Sequence, residues 1–191
     1  MTVQDRIDLP GKYRLRVADY HLLDEAGVFK DFAKTELING EIVAVQAQYS
    51  PHSRVQTKLL AALSAACDRI GNSVEPWVEL SVEIAPDTEV QPDIVVATEL
   101  PAQGALPVAL AAIIVEVADS SIKADLGGKA QLYAAAGVAE YWVADVNAKV
   151  IHQLWAPEGE AYTQRREVAF GARIEAVTVA GLVVEKVGVS Q

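Results

Sequence analysis

The sequence predicts an α/β domain built on a mixed β-sheet flanked by helices. Three observations predict it. A long amphipathic segment from Pro51 to Ile70 reads as a helix. The stretches Asp93–Ala97 and Ala112–Val117 are nearly continuous apolar runs, the pattern of central strands covered on both faces. A tight hairpin signal and a strand-helix-strand unit then occur in one chain, which calls for a sheet of mixed direction with helices on its faces. The 191 residues suit a single domain over 1–191, preceded by an N-terminal arm over 1–18 that carries mixed charge and Pro10-Gly11.

Each element has a local reason. A short helix is expected from Asp19 to Ala26, capped by Asp19 and ended by Gly27. Thr35–Ile38 and Glu41–Val45 flank Asn39-Gly40, whose residues accept the positive φ of a two-residue hairpin turn. Pro51 opens the long helix. Val55, Leu59, Leu63, Cys67 and Ile70 form its apolar stripe, and Gly71 stands where a helix ends. Val78–Ile84 alternates as a strand, and Pro101–Pro107 reads as a loop. A second helix is expected from Ala124 to Ala136, stopped by Gly137. Tyr141–Ala144, Val150–Trp155, Tyr162–Val168 and Ile174–Val179 read as short strands, with turns at Asp145–Asn147 and Pro157–Gly159.

Composition narrows the classes. Hydrophobic residues make up 51% of the chain, enough for a sizeable core, yet no long uncharged apolar run suggests a membrane span. Met1–Pro10 lacks the apolar core of a secretory signal. The one cysteine, Cys67, lies on the apolar stripe and reads as a core residue, and no Cys/His spacing suggests zinc. A reducing cytoplasmic location is expected. The net charge of −10 argues against tight non-specific DNA binding by a monomer, because phosphate binding is driven by Lys and Arg.

The informative residues are acids inside apolar runs. Glu116 interrupts Ile113-Ile114-Val115-Glu116-Val117-Ala118, and Asp93 opens Asp93-Ile94-Val95-Val96 after Pro92. An ionised carboxylate buried without a partner costs several kcal/mol, so a protein cation or a metal ion must compensate. Asp93 capping a turn and Glu116 paired with a lysine are the plain alternatives. Together the two acids suit a hard-cation site of oxygen ligands. Asp125, Lys129 and Tyr133 fall at i, i+4 and i+8 on the next helix, which would place Lys129 over the carboxylates; an exposed Asp125–Lys129 pair is the alternative. Glu41 and His52, from the hairpin and the start of the long helix, read as exposed residues when taken alone.

Several segments in order resemble the Uma2 family, once described as a domain of unknown function, of the PD-(D/E)XK restriction-endonuclease-like superfamily. They are Glu36-Leu37-Ile38-Asn39-Gly40-Glu41, Ser50-Pro51-His52, Gln91-Pro92-Asp93-Ile94 and Ile114-Val115-Glu116-Val117. Asp125 with Lys129 and Tyr133 comes next, and then Gly137-Val138-Ala139-Glu140-Tyr141-Trp142-Val143-Ala144-Asp145. The resemblance spans about residues 30–180. It implies a restriction-endonuclease-like core and a metal-dependent phosphodiesterase site with Asp93 and Glu116 as metal ligands. Glu41 is then an additional catalytic acid at the edge, and His52 a substrate contact. The superfamily's lysine two residues after the second acid is replaced here by Ala118, and Lys129 matches the helical lysine that takes over. Gly127-Gly128 departs from a regular helix at that point.

The expectation is therefore a Mg²⁺- or Mn²⁺-dependent nuclease acting on nucleic acid, DNA before RNA, as a homodimer and without membrane contact. Trp142, Trp155 and Tyr162 are candidates for its interface, with the core as their other destination. The rival is a non-catalytic binding or assembly module on the same fold, whose acids are neutralised by Lys129 or another internal cation.

Overall fold

A computed structural model describes residues 11–45, 49–71 and 73–186. A five-stranded sheet runs in the order β2 (Glu41–Val45), β1 (Lys34–Ile38), β5 (Thr88–Val90), β4 (Val82–Ala85), β7 (Leu106–Pro107). A six-stranded sheet runs β11 (Ala161–Ala169), β10 (Val150–Glu158), β9 (Glu140–Asp145), β8 (Ala111–Ala118), β6 (Ile94–Ala97), β3 (Glu75–Val78). Both sheets are mixed, since β4–β7 and β8–β9 are parallel and their neighbours antiparallel. A small ladder joins β12 (Ile174–Glu175) to β13 (Val183–Val184). The helices are α1 (Val17–Glu25), α2 (Ser50–Arg69), α3 (Ile122–Ala124) and α4 (Ala130–Ala135), with a π turn over Asp125–Lys129 between the last two.

Strand alternation on β8 sorts the core into two layers. Ile113, Val115 and Val117 pack with Leu59, Leu63 and Cys67 of α2. Ile114 and Ala118 face the other way, with Tyr133 of α4 and with Val82, Val90 and Leu106 of the five-stranded sheet. A strand covered on both faces has no solvent side, so its residues read as one apolar run. Glu116 belongs to the second layer by the same alternation. The parallel β8–β9 step requires a crossover, and α3 and α4 provide it.

The long helix and the hairpin form as expected. Asn39 and Gly40 take φ of 50° and 74° at the turn. Where the structure departs from expectation, the local reason is visible. Val78–Ile84 is not one strand, because Glu79 adopts φ 50° and the chain passes from β3 in one sheet to β4 in the other. Thr88–Val90 is an additional strand, and the expected loop Pro101–Pro107 ends in β7. Asp19 sits in the first turn of α1, not at its N-cap, and accepts the Arg16 N–H at 2.8 Å. The helix expected from Ala124 starts at Ile122 and contains the π turn at Gly127-Gly128. The turn expected at Pro157–Gly159 lies at Gly159-Glu160 instead, because β10 runs on to Glu158, with Pro157 paired to Tyr162 of β11. Of the expected arm, residues 1–10 lie outside the described residues. The remainder is fastened, with the Leu15 N–H donating to Gly40 at 3.0 Å and α1 already beginning at Val17.

The Gly137–Trp142 segment serves the fold. Glu140 is fully buried, and its carboxylate accepts from Trp142 Nε1 at 2.6 Å, from Gln153 Nε2, and from the Val177 and Thr178 backbone N–H groups at 2.8 Å each. That network takes the N–H groups a continuing strand would need, so the strand expected over Ile174–Val179 stops at Glu175. Trp142 is fully buried, which removes it from any interface.

Two glycines should respond in opposite ways to alanine. A Cβ on Gly40 would lie 2.5 Å from Arg14 Cβ at a positive φ, whereas one on Gly128 would meet nothing within 4 Å. Gly40→Ala is expected to destabilise by at least about 1 kcal/mol, a fall of roughly 2–4 °C in Tm, while Gly128→Ala should hold or raise Tm. Thermal melting of both variants checks this, and a fall with Gly128→Ala would contradict the open space at that position.

Candidate active site

The strand register brings the acids together. Ile94 pairs with Val115 across the antiparallel β6–β8 ladder, which sets Asp93 beside Glu116. The Val117 N–H donates to Asp93 Oδ2 at 2.7 Å. Both acids are buried, at 3% and 4% exposure. They line a cleft of about 800 Å³ together with Glu36, Lys34, His52 and Lys129.

Lys129 reaches this cleft because of the helix before it. Its Nζ donates to Glu116 Oε1 at 2.9 Å and lies 3.7 Å from Glu36 Oε1. The Tyr133 hydroxyl donates to the same Glu116 oxygen at 2.9 Å. Among the described residues no hydrogen bond reaches the other Glu116 oxygen. Ala118 is fully buried in the second core layer, so the lysine is delivered from the crossover helix instead of the strand. Asp125 does not form an exposed pair with Lys129. It is buried at 3% and accepts from Ser121 Oγ at 2.5 Å.

His52 packs under Asp93. Its Nε2 lies 3.0 Å from Asp93 Oδ2, and Gln56 Nε2, one turn on, donates to the Asp93 carbonyl at 3.0 Å. Among the described residues, His52 Nδ1 is the buried side-chain polar atom without a hydrogen-bond partner. A group left so typically costs about 1–3 kcal/mol.

Glu41 is not brought to this cluster. It is exposed, lies 3.5 Å from Arg14 Nη1, and does not line the cleft. The acid that the hairpin contributes is Glu36, at 2% exposure, which accepts the Gln91 N–H at 3.0 Å. Its signal was in the sequence: Glu36 precedes Leu37-Ile38, an acid against an apolar run, as with Glu116. Lys34, two residues earlier on the same face, donates to the Gln91 carbonyl and lies 3.8 Å from Glu36 Oε1.

Burial dominates the electrostatics. Desolvation pushes Glu116 up to about 7. Lys129 opposes this, while Asp93, Asp125 and Glu36 add to it. Desolvation alone would lower Lys129, but the Glu116 and Glu36 carboxylates reverse that and hold the ammonium charged. Asp93 feels desolvation most, yet the His52 imidazole and the Val117 N–H bring it below the ordinary carboxylate range. Two neighbouring carboxylates thus hold opposite tendencies, a recurrent feature of acid–base sites.

The donor chemistry suits a hard divalent cation. Asp93, Glu116 and Glu36 offer carboxylate oxygens, the ligands such ions prefer. Among the described residues no three His, Cys, Asp or Glu side chains are placed to hold an ion by themselves.

The profile of the Uma2 family, described as "Putative restriction endonuclease", matches residues 17–185. A crystal structure of "a putative nuclease belonging to DUF820" from Anabaena variabilis ATCC 29413 superposes with a TM-score of 0.63 at 14% identity, over 85% of this chain and 89% of that one. No curated protein matches the sequence.

The raised Glu116 has a thermodynamic consequence. Its folded value of about 7 lies above the ordinary 4.5, so the native state binds more protons than the unfolded chain between those limits. This group's contribution to stability is therefore present at low pH and lost as pH rises through that window. Asp125, raised as well, acts in the same sense, and Asp93, lowered, loses its contribution only at more acid pH. Glu116→Gln is expected to flatten the fall in stability from about pH 4.5 to 7. Urea titrations across that range measure it, and an unchanged slope would place the proton elsewhere.

Proposed function

This chain belongs to the Uma2 family and has a restriction-endonuclease-like fold, and from that premise we propose that it hydrolyses phosphodiester bonds of nucleic acid with the help of Mg²⁺ or Mn²⁺. The observation that carries the reading is the set of two buried, adjacent carboxylates, Asp93 and Glu116, lining one cleft with a charged lysine. Asp93 and Glu116 would hold the cation. Such an ion, when bound, lowers the pKa of a water and offsets charge on the scissile phosphate.

The chain's own residues have distinct tasks. His52 and the Val117 N–H hold Asp93 ionised and oriented. Tyr133 holds Glu116. Lys129 supplies a positive point charge for the phosphorane oxygens, a role suited to an ammonium. Glu36 sets the position of that ammonium from its other side, in the place first assigned to Glu41.

DNA is the preferred substrate in this reading, acted on in the cytoplasm by a single domain. Cys67 is a free, buried thiol, and no helix among the described residues is long and apolar enough to cross a membrane. Cutting both strands of a duplex requires two active sites, so a homodimer accompanies that substrate, and a monomer mass in solution would remove it.

One observation favours the rival, non-catalytic reading. Lys129 lies 2.9 Å from Glu116 and 3.7 Å from Glu36, so an internal cation already offsets the cluster, and the whole chain carries −10. The two readings separate on metal. Millimolar Mg²⁺ or Mn²⁺ is expected to raise Tm relative to EDTA in the wild type and not in Asp93→Ala. Asp93→Ala and Glu116→Ala are each expected to abolish metal-dependent cleavage while leaving circular dichroism unchanged. Cleavage surviving both substitutions would sink the assignment, and no metal response in the wild type would favour the binding module.

A further inference from the structure

The two oxygens of Glu116 have different surroundings. Oε1 accepts from Lys129 Nζ and from the Tyr133 hydroxyl, at 2.9 Å each. Among the described residues no hydrogen bond reaches the other oxygen. Lys129 Nζ also lies 3.7 Å from Glu36 Oε1, so one ammonium borders both carboxylates. Both acids are buried, and together they hold that ammonium charged. Glu36 is further engaged by its own strand, with Lys34 Nζ at 3.8 Å and the Gln91 N–H at 3.0 Å.

Nucleases of the two-ion kind hold their cations about 3.5–4 Å apart, one for the attacking and one for the leaving oxygen. Such a pair needs carboxylates on both sides. Asp93 and Glu116 serve one side here. For an ion on the far side of Glu116, Glu36 is the next acid, since Asp125 is bonded to Ser121 Oγ. That place already holds the ammonium of Lys129. A divalent ion binds carboxylate oxygens at about 2.0–2.6 Å, so it could not share the position, and two cations so close repel each other.

Resting on the nuclease reading for the first ion, we propose that Lys129 occupies the place of a second divalent cation between Glu116 and Glu36, so that the site works with one ion and not two. On that side the positive charge is covalently attached to the crossover helix. It is smaller than a metal's, it does not depend on the concentration of free ions, and no chelator removes it. Glu36 then serves the lysine and not the metal, which accounts for a third buried acid in a cleft where no three ligands are placed to hold an ion among the described residues.

Titration of the full chain with Mn²⁺ to millimolar concentration, followed by electron paramagnetic resonance, counts the bound ions and detects magnetic coupling between neighbours. The wild type is expected to bind one Mn²⁺ per chain, without coupling. Lys129→Met is expected to gain a second ion, coupled to the first. Should Lys129→Met fail to fold, Lys129→Gln, which keeps a hydrogen-bond donor, takes its place. Two ions in the wild type, or a neutral variant that gains none, would overturn the proposal and leave the nuclease reading standing. No ion in the wild type would remove the nuclease reading. The place assigned to Lys129 would then stand if the neutral variant gains an ion, and fall if it does not.

Discussion

The structure depends on keeping two carboxylates, Asp93 and Glu116, ionisable inside a core. Asp93 directly precedes β6 and Glu116 lies within β8, strands without a solvent face, so each charge must be met within a few ångströms. Asp93 is met from beneath by α2, through His52 and Gln56, and from the side by the backbone of β8. Glu116 is met from above by Lys129 and Tyr133. The six-stranded sheet, the long helix and the crossover helix each contribute a partner, and none is complete without the other two.

The π turn follows from that requirement. An α-helix started at Ile122 in regular phase would keep Asp125 and Lys129 on one face as an i, i+4 pair. The wider turn over Asp125–Lys129 changes the phase. Asp125 is buried against Ser121 while Lys129 and Tyr133 both reach Glu116. Such turns often occur at functional sites. The local irregularity in the sequence, Gly127-Gly128, coincides with it.

Two buried acids that look alike in the sequence do different things. Glu140 and Glu116 both stand in apolar strands. Glu140 is surrounded by uncharged donors that satisfy its carboxylate and bind the C-terminal segment to β9. Glu116 faces one cation, one hydroxyl and three further acids, and opens onto a cleft. The first arrangement stabilises a fold. The second gathers several acids around Lys129 in a cleft.

What the sequence determined by itself were the elements with strong local signals. Val55, Leu59, Leu63 and Cys67 define the helix stripe, Asn39-Gly40 the hairpin, and the two apolar runs the central strands, because periodicity and turn chemistry are local properties. The acids in those runs, Asp93 and Glu116, were legible for the same reason, and strand alternation placed Glu116 on its face. The tertiary structure alone decided what meets them. Glu36 in place of Glu41, His52 beneath Asp93, and Lys129 on Glu116 instead of Asp125 all depend on contacts between residues far apart in the chain. The split of Val78–Ile84 between two sheets is of the same kind. No periodicity within one segment encodes which neighbouring strand it will find; the packing of two sheets around buried charge does.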